Sequence, residues 1–179
     1  MSDREIIDVV DDAGDVIKTI TREEAERDNH IIENVIVFVF NSLGKVWIQK
    51  RPTHKKHYPG LWDVSACGAI LTGEKPLAAA RREQLEEMGF ESKLQKVETF
   101  MNEFPDEDGS TTRRRLSHLF IGISEEIPQP NEEVDEFLVL PHAELKQRVT
   151  DKPGDYIPSF LIELDKAVEA YESQKHENN

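Results

Sequence analysis

Three carboxylates, Glu83, Glu86 and Glu87, follow Arg82 within the stretch Gly68–Phe90, GAILTGEKPLAAARREQLEEMGF. Five residues separate Gly68 from Glu74, seven more separate Glu74 from Arg82, and Gly89-Phe90 closes the run. Pro76 suits the first turn of a helix, where its fixed φ and missing N–H are tolerated. Gly89 suits the position just beyond the last turn, where φ is often positive. A helix from about Lys75 to Met88 sets the three carboxylates within an arc of about 100° at 3.6 residues per turn. Like charges crowded on one face repel, so a cation should compensate them, and hard divalent ions take oxygen ligands. The spacing predicts a metal site.

These positions resemble the signature of the Nudix hydrolases, G-x5-E-x7-R-E-U-x-E-E-x-G-U with U a bulky apolar residue. Gly68, Glu74, Arg82, Glu83, Glu86, Glu87, Gly89 and Phe90 all fall on it. Gln84 departs from it, where the family carries an aliphatic residue that packs the helix on the sheet. A solvated acidic helix face is the bland alternative, but it leaves Gly68, Glu74 and Arg82 as coincidences. The resemblance implies Mg²⁺ or Mn²⁺ held by Glu83, Glu86, Glu87 and the Gly68 carbonyl. It places Glu83 and Glu87 in the catalytic set, with Arg82 orienting the carboxylates. Glu74 reads as structural, a carboxylate near a helix N-terminus. Family members place the general base either on the signature helix or on a later loop. Here the loop candidates are Glu132 and Glu133, and Glu133, followed by Val134, is the better match. The implied substrate is a small-molecule diphosphate.

Two basic clusters could meet its phosphates. Arg51 opens a loop that also holds Lys55, Lys56 and His57, and Arg113-Arg114-Arg115 stands at the mouth of a strand with alternate residues on opposite faces. Arg51, Lys55 and Arg115 are the substrate-binding candidates, because guanidinium forks match phosphate oxygens. Isopentenyl-diphosphate isomerase, whose fold resembles the Nudix proteins, is the rival. The phrase YPGLWDVSACGAI and Cys67 before the signature glycine fit that branch, in which the matching cysteine handles the alkene proton. That branch carries a metal-binding His where Ala69 stands, and two metal-binding glutamates on the strand that here begins Arg113-Arg114-Arg115. Cys67 then reads as a small buried thiol. A non-catalytic Nudix ligand sensor is the third reading, disfavoured because all three signature glutamates are intact.

The elements that must position these groups read as an alternation of strands and helices. Ile6–Val10 and Val16–Ile20 form a hairpin, and Thr21–Arg27 opens a short helix with Thr21 and Glu24 in a capping box. Val35–Phe40 is a strand buried on both faces, followed by Lys45–Lys50 and Asp63–Cys67. Beyond the signature helix, Leu94–Met101, Leu116–Ile123 and Phe137–Leu140 are strands, and Asn102–Thr112 is a polar loop. Helices follow over His142–Val149 and Pro158–Tyr171, the latter amphipathic. Trp62 should pack in the core beside the site. The fold class is α/β (α+β), and the resemblance implies the Nudix α/β/α sandwich with a mixed central sheet and an N-terminal hairpin. Residues 1–29 form the hairpin and short helix packed on the main domain, 30–172 the Nudix domain, and 173–179 a frayed tail.

Composition sets the outer bounds. The 179 residues carry a formal net charge of −14, with 37% hydrophobic and 32% charged content. That acidity argues against a nucleic-acid polymer as partner. No apolar run approaches the length of a membrane span, and the N-terminal MSDREIIDVV lacks a signal peptide's apolar core. The single Cys67 allows no internal disulfide and fits a reducing compartment. A cytoplasmic location is expected. The resemblance allows a homodimer.

Overall fold

The computed structural model describes residues 5–177. Nine strands form one mixed sheet: β1 (Ile6–Val10), β2 (Val16–Thr21), β3 (Ile32–Phe40), β4 (Lys45–Lys50), β5 (Trp62–Asp63), β6 (Ala66–Ala69), β7 (Leu94–Pro105), β8 (Thr112–Ile123) and β9 (Glu136–Pro141). Helix α1 (Arg22–Arg27) follows the N-terminal hairpin, α2 (Pro76–Met88) carries the signature, and α3 (His142–Asp151) and α4 (Phe160–Glu177) close the chain. The long strand β3 is the hub. It runs parallel to β8 over Ile32–Phe40 and antiparallel to β6 over Asn34–Val37. Strand β4 joins it at Phe40↔Val46 and carries β9 and β5 on its own edges.

The run VIVFVF explains the layering, because alternate residues of a strand face opposite sides. Ile36, Phe38 and Phe40 pack with Leu145 and Val149 of α3 and with Phe160, Leu164 and Tyr171 of α4. Val35, Val37 and Val39 pack with Ala79, Ala80 and Met88 of α2. Each fully buried Phe contributes on the order of 2–3 kcal/mol by leaving water. Phe40 and Tyr171 stack with ring centroids 4.3 Å apart. The sheet thus lies between α2 on one face and α3 and α4 on the other, the expected α/β/α sandwich. Ile7, Val9, Ala25, Ile32 and Ala69 form a third cluster that docks the N-terminal hairpin. The capping box at Thr21 is present, with Glu24 N–H donating to Thr21 Oγ1 and Thr21 N–H to Glu24 Oε2.

Several expectations change. The segment Asn102–Thr112 is not a loop. Strands β7 and β8 pair from Leu94↔Gly122 to Pro105↔Thr112, leaving a tight turn around Gly109. Its polar residues hide the strand in the sequence, yet they are satisfied across the ladder, as in Glu103–Arg114, or at the turn, as in Asp106–Arg113. The segment expected to fray is helical as far as Glu177, and residues 178 and 179 lie outside the described chain, as do 1–4. Strand Asp63–Cys67 divides into β5 and β6. Gln84 is fully buried and hydrogen-bonded on both ends of its amide, donating to Ser92 Oγ at 2.9 Å and accepting from Ser92 N–H at 3.1 Å. The departure from an aliphatic residue is therefore matched by a local partner. Trp62 packs against the larger core cluster, half-buried, with Lys50 Nζ 5.7 Å from its ring centroid.

Candidate active site

Helix α2 starts with Pro76 at its first position and ends at Gly89, whose φ of 82° no β-carbon-bearing residue adopts cheaply. Its buried stripe is Ala79, Ala80, Glu83, Gln84, Glu87 and Met88. The two alanines let the helix approach the sheet closely, and this brings Glu83 and Glu87 against β6. The Glu83 carboxyl lies so near Gly68 that a β-carbon there would stand 2.1 Å from Glu83 Cδ. Gly68 is thus required by contact, not by backbone angle.

Arg82 anchors the arrangement. It donates to Glu83 Oε1 at 2.5 Å, to both oxygens of Glu74 at 2.9 Å, and to the Ala69 carbonyl at 3.0 Å. Glu74 also accepts from Leu71 N–H at 3.1 Å, closing the turn that leads into α2. Glu74 thus braces the turn, and Arg82 holds the Glu83 carboxyl by a direct hydrogen bond.

Glu87 is placed differently. Its Oε2 accepts from Gln49 Nε2 at 2.6 Å and from Cys67 N–H at 2.9 Å, and no cationic side chain of the described residues bonds it. Burial, and then the Glu83 charge, push its carboxyl well above the usual range against those two neutral donors. Burial likewise pushes Glu83 up, against the opposing pull of Arg82. Two buried carboxylates side by side, of which only Glu83 bonds an arginine, carry an excess of negative charge.

Glu86 does not join them. The spacing places all three acids in one arc, but Glu86 falls just beyond the buried stripe. Its side chain is 42% exposed, 3.7 Å from Arg82, and outside the cavity that Glu83 and Glu87 line. Among the described residues no three His, Cys, Asp or Glu side chains converge as a ready metal-holding group. The expected three-carboxylate cluster is thus a buried pair with a third acid on the outer edge. Hard oxygen donors whose burial leaves charge uncompensated still suit a divalent ion, so the Glu83–Glu87 pair fits such a group.

The pair opens into a cavity of two lobes. The larger, of about 360 Å³, is lined by Gly68, Glu83, Glu87, Lys55 and Glu133 among others. The smaller, of about 140 Å³, shares Arg22, Glu26, Arg51, Cys67 and Arg115 with it. Of the phosphate-binding candidates, Arg51 lines both lobes but is committed to Asp63 at 2.8 Å and to the His57 carbonyl at 3.0 Å. Lys55 is paired with Glu133, which lowers the Glu133 carboxyl despite its partial burial. Lys56 and Glu132 are exposed. Arg113 and Arg115 point toward the cavity, whereas Arg114 turns away to Asp12 and Glu103. The alternation expected for this arginine run holds.

Arg115 stands out. Its one hydrogen bond goes to the Arg114 carbonyl at 3.3 Å, and no carboxylate pairs with it among the described residues. Burial, against the attraction of the Glu26 charge and helped by Arg113 and Arg22 nearby, pushes it down to about 10. A guanidinium held this way has its fork open for an anion.

Sequence reasoning missed Arg22, Glu26, Gln49, Asp63, Asn102 and Glu163, all of which meet here. Arg22 binds Glu26 at 2.9 Å and Glu5 at 3.0 Å, and His57 Nε2 lies 3.0 Å from Glu26. Burial works against the Glu26 charge, but His57 and Arg22 outweigh it and hold the carboxyl well below its ordinary value. Cys67 lines both lobes with its Sγ 3.6 Å from Asp63 Oδ2, and burial with the Asp63 and Glu87 charges pushes its thiol well up. It is a protonated thiol, not a thiolate.

The family model for the NUDIX domain matches residues 31–160. The chain belongs to the NUDIX domain family. It is also 32% identical over 165 residues to an isopentenyl-diphosphate Delta-isomerase of Streptomyces griseus subsp. griseus, covering 90% of this chain and 83% of that one. This places it in the isomerase-related branch of the Nudix proteins. Among solved structures, DR0079 from Deinococcus radiodurans superposes with a TM-score of 0.76 at 24% identity, covering 91% of this chain and 99% of that one. The MutT protein of Methanosarcina mazei Go1 superposes with a TM-score of 0.61 at 14% identity, covering 81% and 95%. These two likenesses establish the Nudix fold. No helix among the described residues is long and apolar enough to cross a membrane.

Proposed function

We propose that this Nudix protein is an enzyme that hydrolyses the diphosphate linkage of a nucleoside diphosphate derivative or similar small molecule, with Mg²⁺ or Mn²⁺ as cofactor. The observation that carries this reading is Glu87, a buried carboxylate beside Glu83 that accepts from the neutral donors Gln49 Nε2 and Cys67 N–H. Glu83, Glu87 and the Gly68 carbonyl would hold the ion, which when bound neutralises phosphate oxygens and acidifies water. Arg82 keeps Glu83 in place against Gly68. Gln49 and the Cys67 N–H fix the orientation of Glu87. Arg115, which makes no ion pair among the described residues, receives the phosphate charge, and Arg51 and Lys55 line the same lobe. Glu133 lies on that lobe as a candidate proton acceptor.

A second reading is supported by the relatives named isomerases and by Cys67, a protonated thiol facing both lobes. An isomerase-like enzyme would use that proton on an alkene. Against it, β8 brings Arg113 and Arg115 to the cavity where that branch places carboxylates, and Ala69 replaces its histidine. The test is phosphate release from a mixed panel of diphosphates with Mg²⁺. Turnover abolished in Glu87→Gln and Glu83→Gln supports the hydrolase. Tight binding without turnover of any compound makes the protein a sensor.

A further inference from the structure

Strands β4 and β5 pair Gln49 with Asp63, and directly opposed residues of an antiparallel ladder present their side chains on one face. Gln49 has a task on that face, since it holds Glu87. Asp63 holds Arg51. The aspartate is 2% exposed, and its Oδ2 accepts from Arg51 Nη1 at 2.8 Å and from Cys67 Sγ at 3.6 Å. Its Oδ1 accepts from the Val64 N–H at 2.8 Å. Three donors thus fix the carboxylate. Packing does not call for this pair. Desolvation offsets most of the attraction between two buried charges, and apolar residues of similar volume often replace them without loss of stability. Ile36, Val64 and Ile157 line the same lobe and would suit such a replacement.

What Arg51 would do without Asp63 follows from its other acidic neighbour. Burial works against the Arg51 charge, but Asp63 outweighs it and the Glu87 charge adds to the pull, so the guanidinium stays above its ordinary range. Asp63 and Glu87 both bond Cys67, one at its thiol and the other at its N–H, so the two carboxylates flank a single residue. Arg51 and Glu87 also line the same lobe. Glu87 accepts only modest compensation from Gln49 and the Cys67 N–H, which are neutral, and a buried carboxylate so placed attracts a cation within reach. Arg51 is anchored by its Nε–H on the His57 carbonyl at 3.0 Å and by its backbone through Leu61 and Gly60. Its Nη1 end is therefore the part that chooses between the two acids. A guanidinium on Glu87 would neutralise the acidic pair from within and stand where a divalent ion belongs.

We propose that Asp63 is a positioning residue that holds Arg51 away from Glu87 and so keeps the Glu83–Glu87 pair open to a divalent ion. This rests on the metal-dependent reading above and adds to it a residue that acts through Arg51 alone.

The test is Mn²⁺ binding to the full-length protein, read by electron paramagnetic resonance without substrate. Wild type should bind the ion. Asp63→Asn keeps the shape of the side chain and removes its charge. It should weaken Mn²⁺ binding by about tenfold or more, the coupling of a close charge pair in a desolvated site. Arg51→Met should bind Mn²⁺ at least as tightly as wild type. The double variant Asp63→Asn/Arg51→Met should return to within about threefold of wild type, because the competing cation is gone. An aspartate with a merely structural role gives no such rescue. Asp63→Asn within about twofold of wild type overturns the proposal, and so does a double variant as weak as Asp63→Asn. If Asp63→Asn does not fold, Arg51→Met and the double variant decide, and a loss of about tenfold in either overturns it. A wild type that binds no Mn²⁺ removes the metal reading itself. The hold is then judged from a crystal structure of metal-free Asp63→Asn, in which Arg51 should stand within hydrogen-bond distance of Glu87. A guanidinium still against residue 63 overturns it.

Discussion

Substituting Gly68 by alanine tests the contact on which the acidic site is built. The added methyl would stand 2.1 Å from both Cδ and Oε1 of Glu83 and 2.5 Å from its Oε2. No real contact is that short, so one partner must move by more than an ångström. Strand β6 is locked between β3 and α2 through Val35↔Gly68 and its neighbours, so the Glu83 side chain yields first. It can do so only by giving up the 2.5 Å bond to Arg82. Overpacking of a filled site costs about 1–3 kcal/mol, and urea denaturation should show a loss in that range. Displacing a positioned group by about 1 Å costs about a hundredfold in rate, so phosphate release should fall by at least that factor. Adding Glu83→Ala to Gly68→Ala removes the clash, and this double variant should recover stability without recovering turnover or Mn²⁺ affinity. A Gly68→Ala protein with wild-type stability, metal affinity and rate would show that the close approach of Glu83 to β6 is unimportant, and the site reasoning would fail with it.

Further outcomes follow from single contacts. Gln84→Leu restores the aliphatic residue of the family pattern but removes the partner of the half-buried Ser92 N–H and hydroxyl, so it should destabilise by roughly 1 kcal/mol, and adding Ser92→Ala should return part of that in the same denaturation assay. Arg115→Met should leave the melting temperature unchanged or raised, because it removes a cation without an acidic partner, while weakening diphosphate binding about tenfold or more. Glu163 has its carboxyl raised from 4.5 to about 7, so its contribution to stability is fully present below pH 4.5 and is lost as pH rises through 7. The loss amounts to about 3 kcal/mol. Comparing wild type with Glu163→Leu in urea at pH 5 and pH 8 with EDTA cancels the titration of Glu83 and Glu87, common to both, and the wild type should lose stability relative to the variant. Parallel pH curves would contradict the buried, raised carboxyl.

The sequence showed the frame of the site more clearly than its walls. Helix α2 was legible because Pro76 and Gly89 mark its ends and the signature glutamates repeat at helical spacing. Strand β3 was legible because an uninterrupted apolar run has few other homes. The arc containing Glu83, Glu86 and Glu87 was also legible, but spacing alone cannot say which edge of an arc the sheet covers. Glu86 fell on the uncovered edge for that reason. Strands β7 and β8 were legible over Leu94–Met101 and Leu116–Ile123, but their outer ends were hidden because they carry charges that are satisfied across the ladder, a pairing that exists only once the chains meet. Gln84 looked like a packing fault until Ser92, eight residues on, came back against it. Arg22, Glu26, Asn102 and Glu163 had no local signal at all, since the fold gathers them from the first helix, the hairpin and the last helix. Arg115 was identified by its strand alternation, though its lack of an acidic partner emerged only from the packing.

The most direct measurement is phosphorus NMR of the wild-type protein with Mg²⁺ in ¹⁸O-labelled water, given nucleoside diphosphate derivatives and isopentenyl diphosphate side by side. The expected result is ¹⁸O appearing in one phosphate product of a nucleotide compound, absent in Glu87→Gln. An intact diphosphate whose alkene has migrated, or no labelled phosphate from any compound, would contradict it.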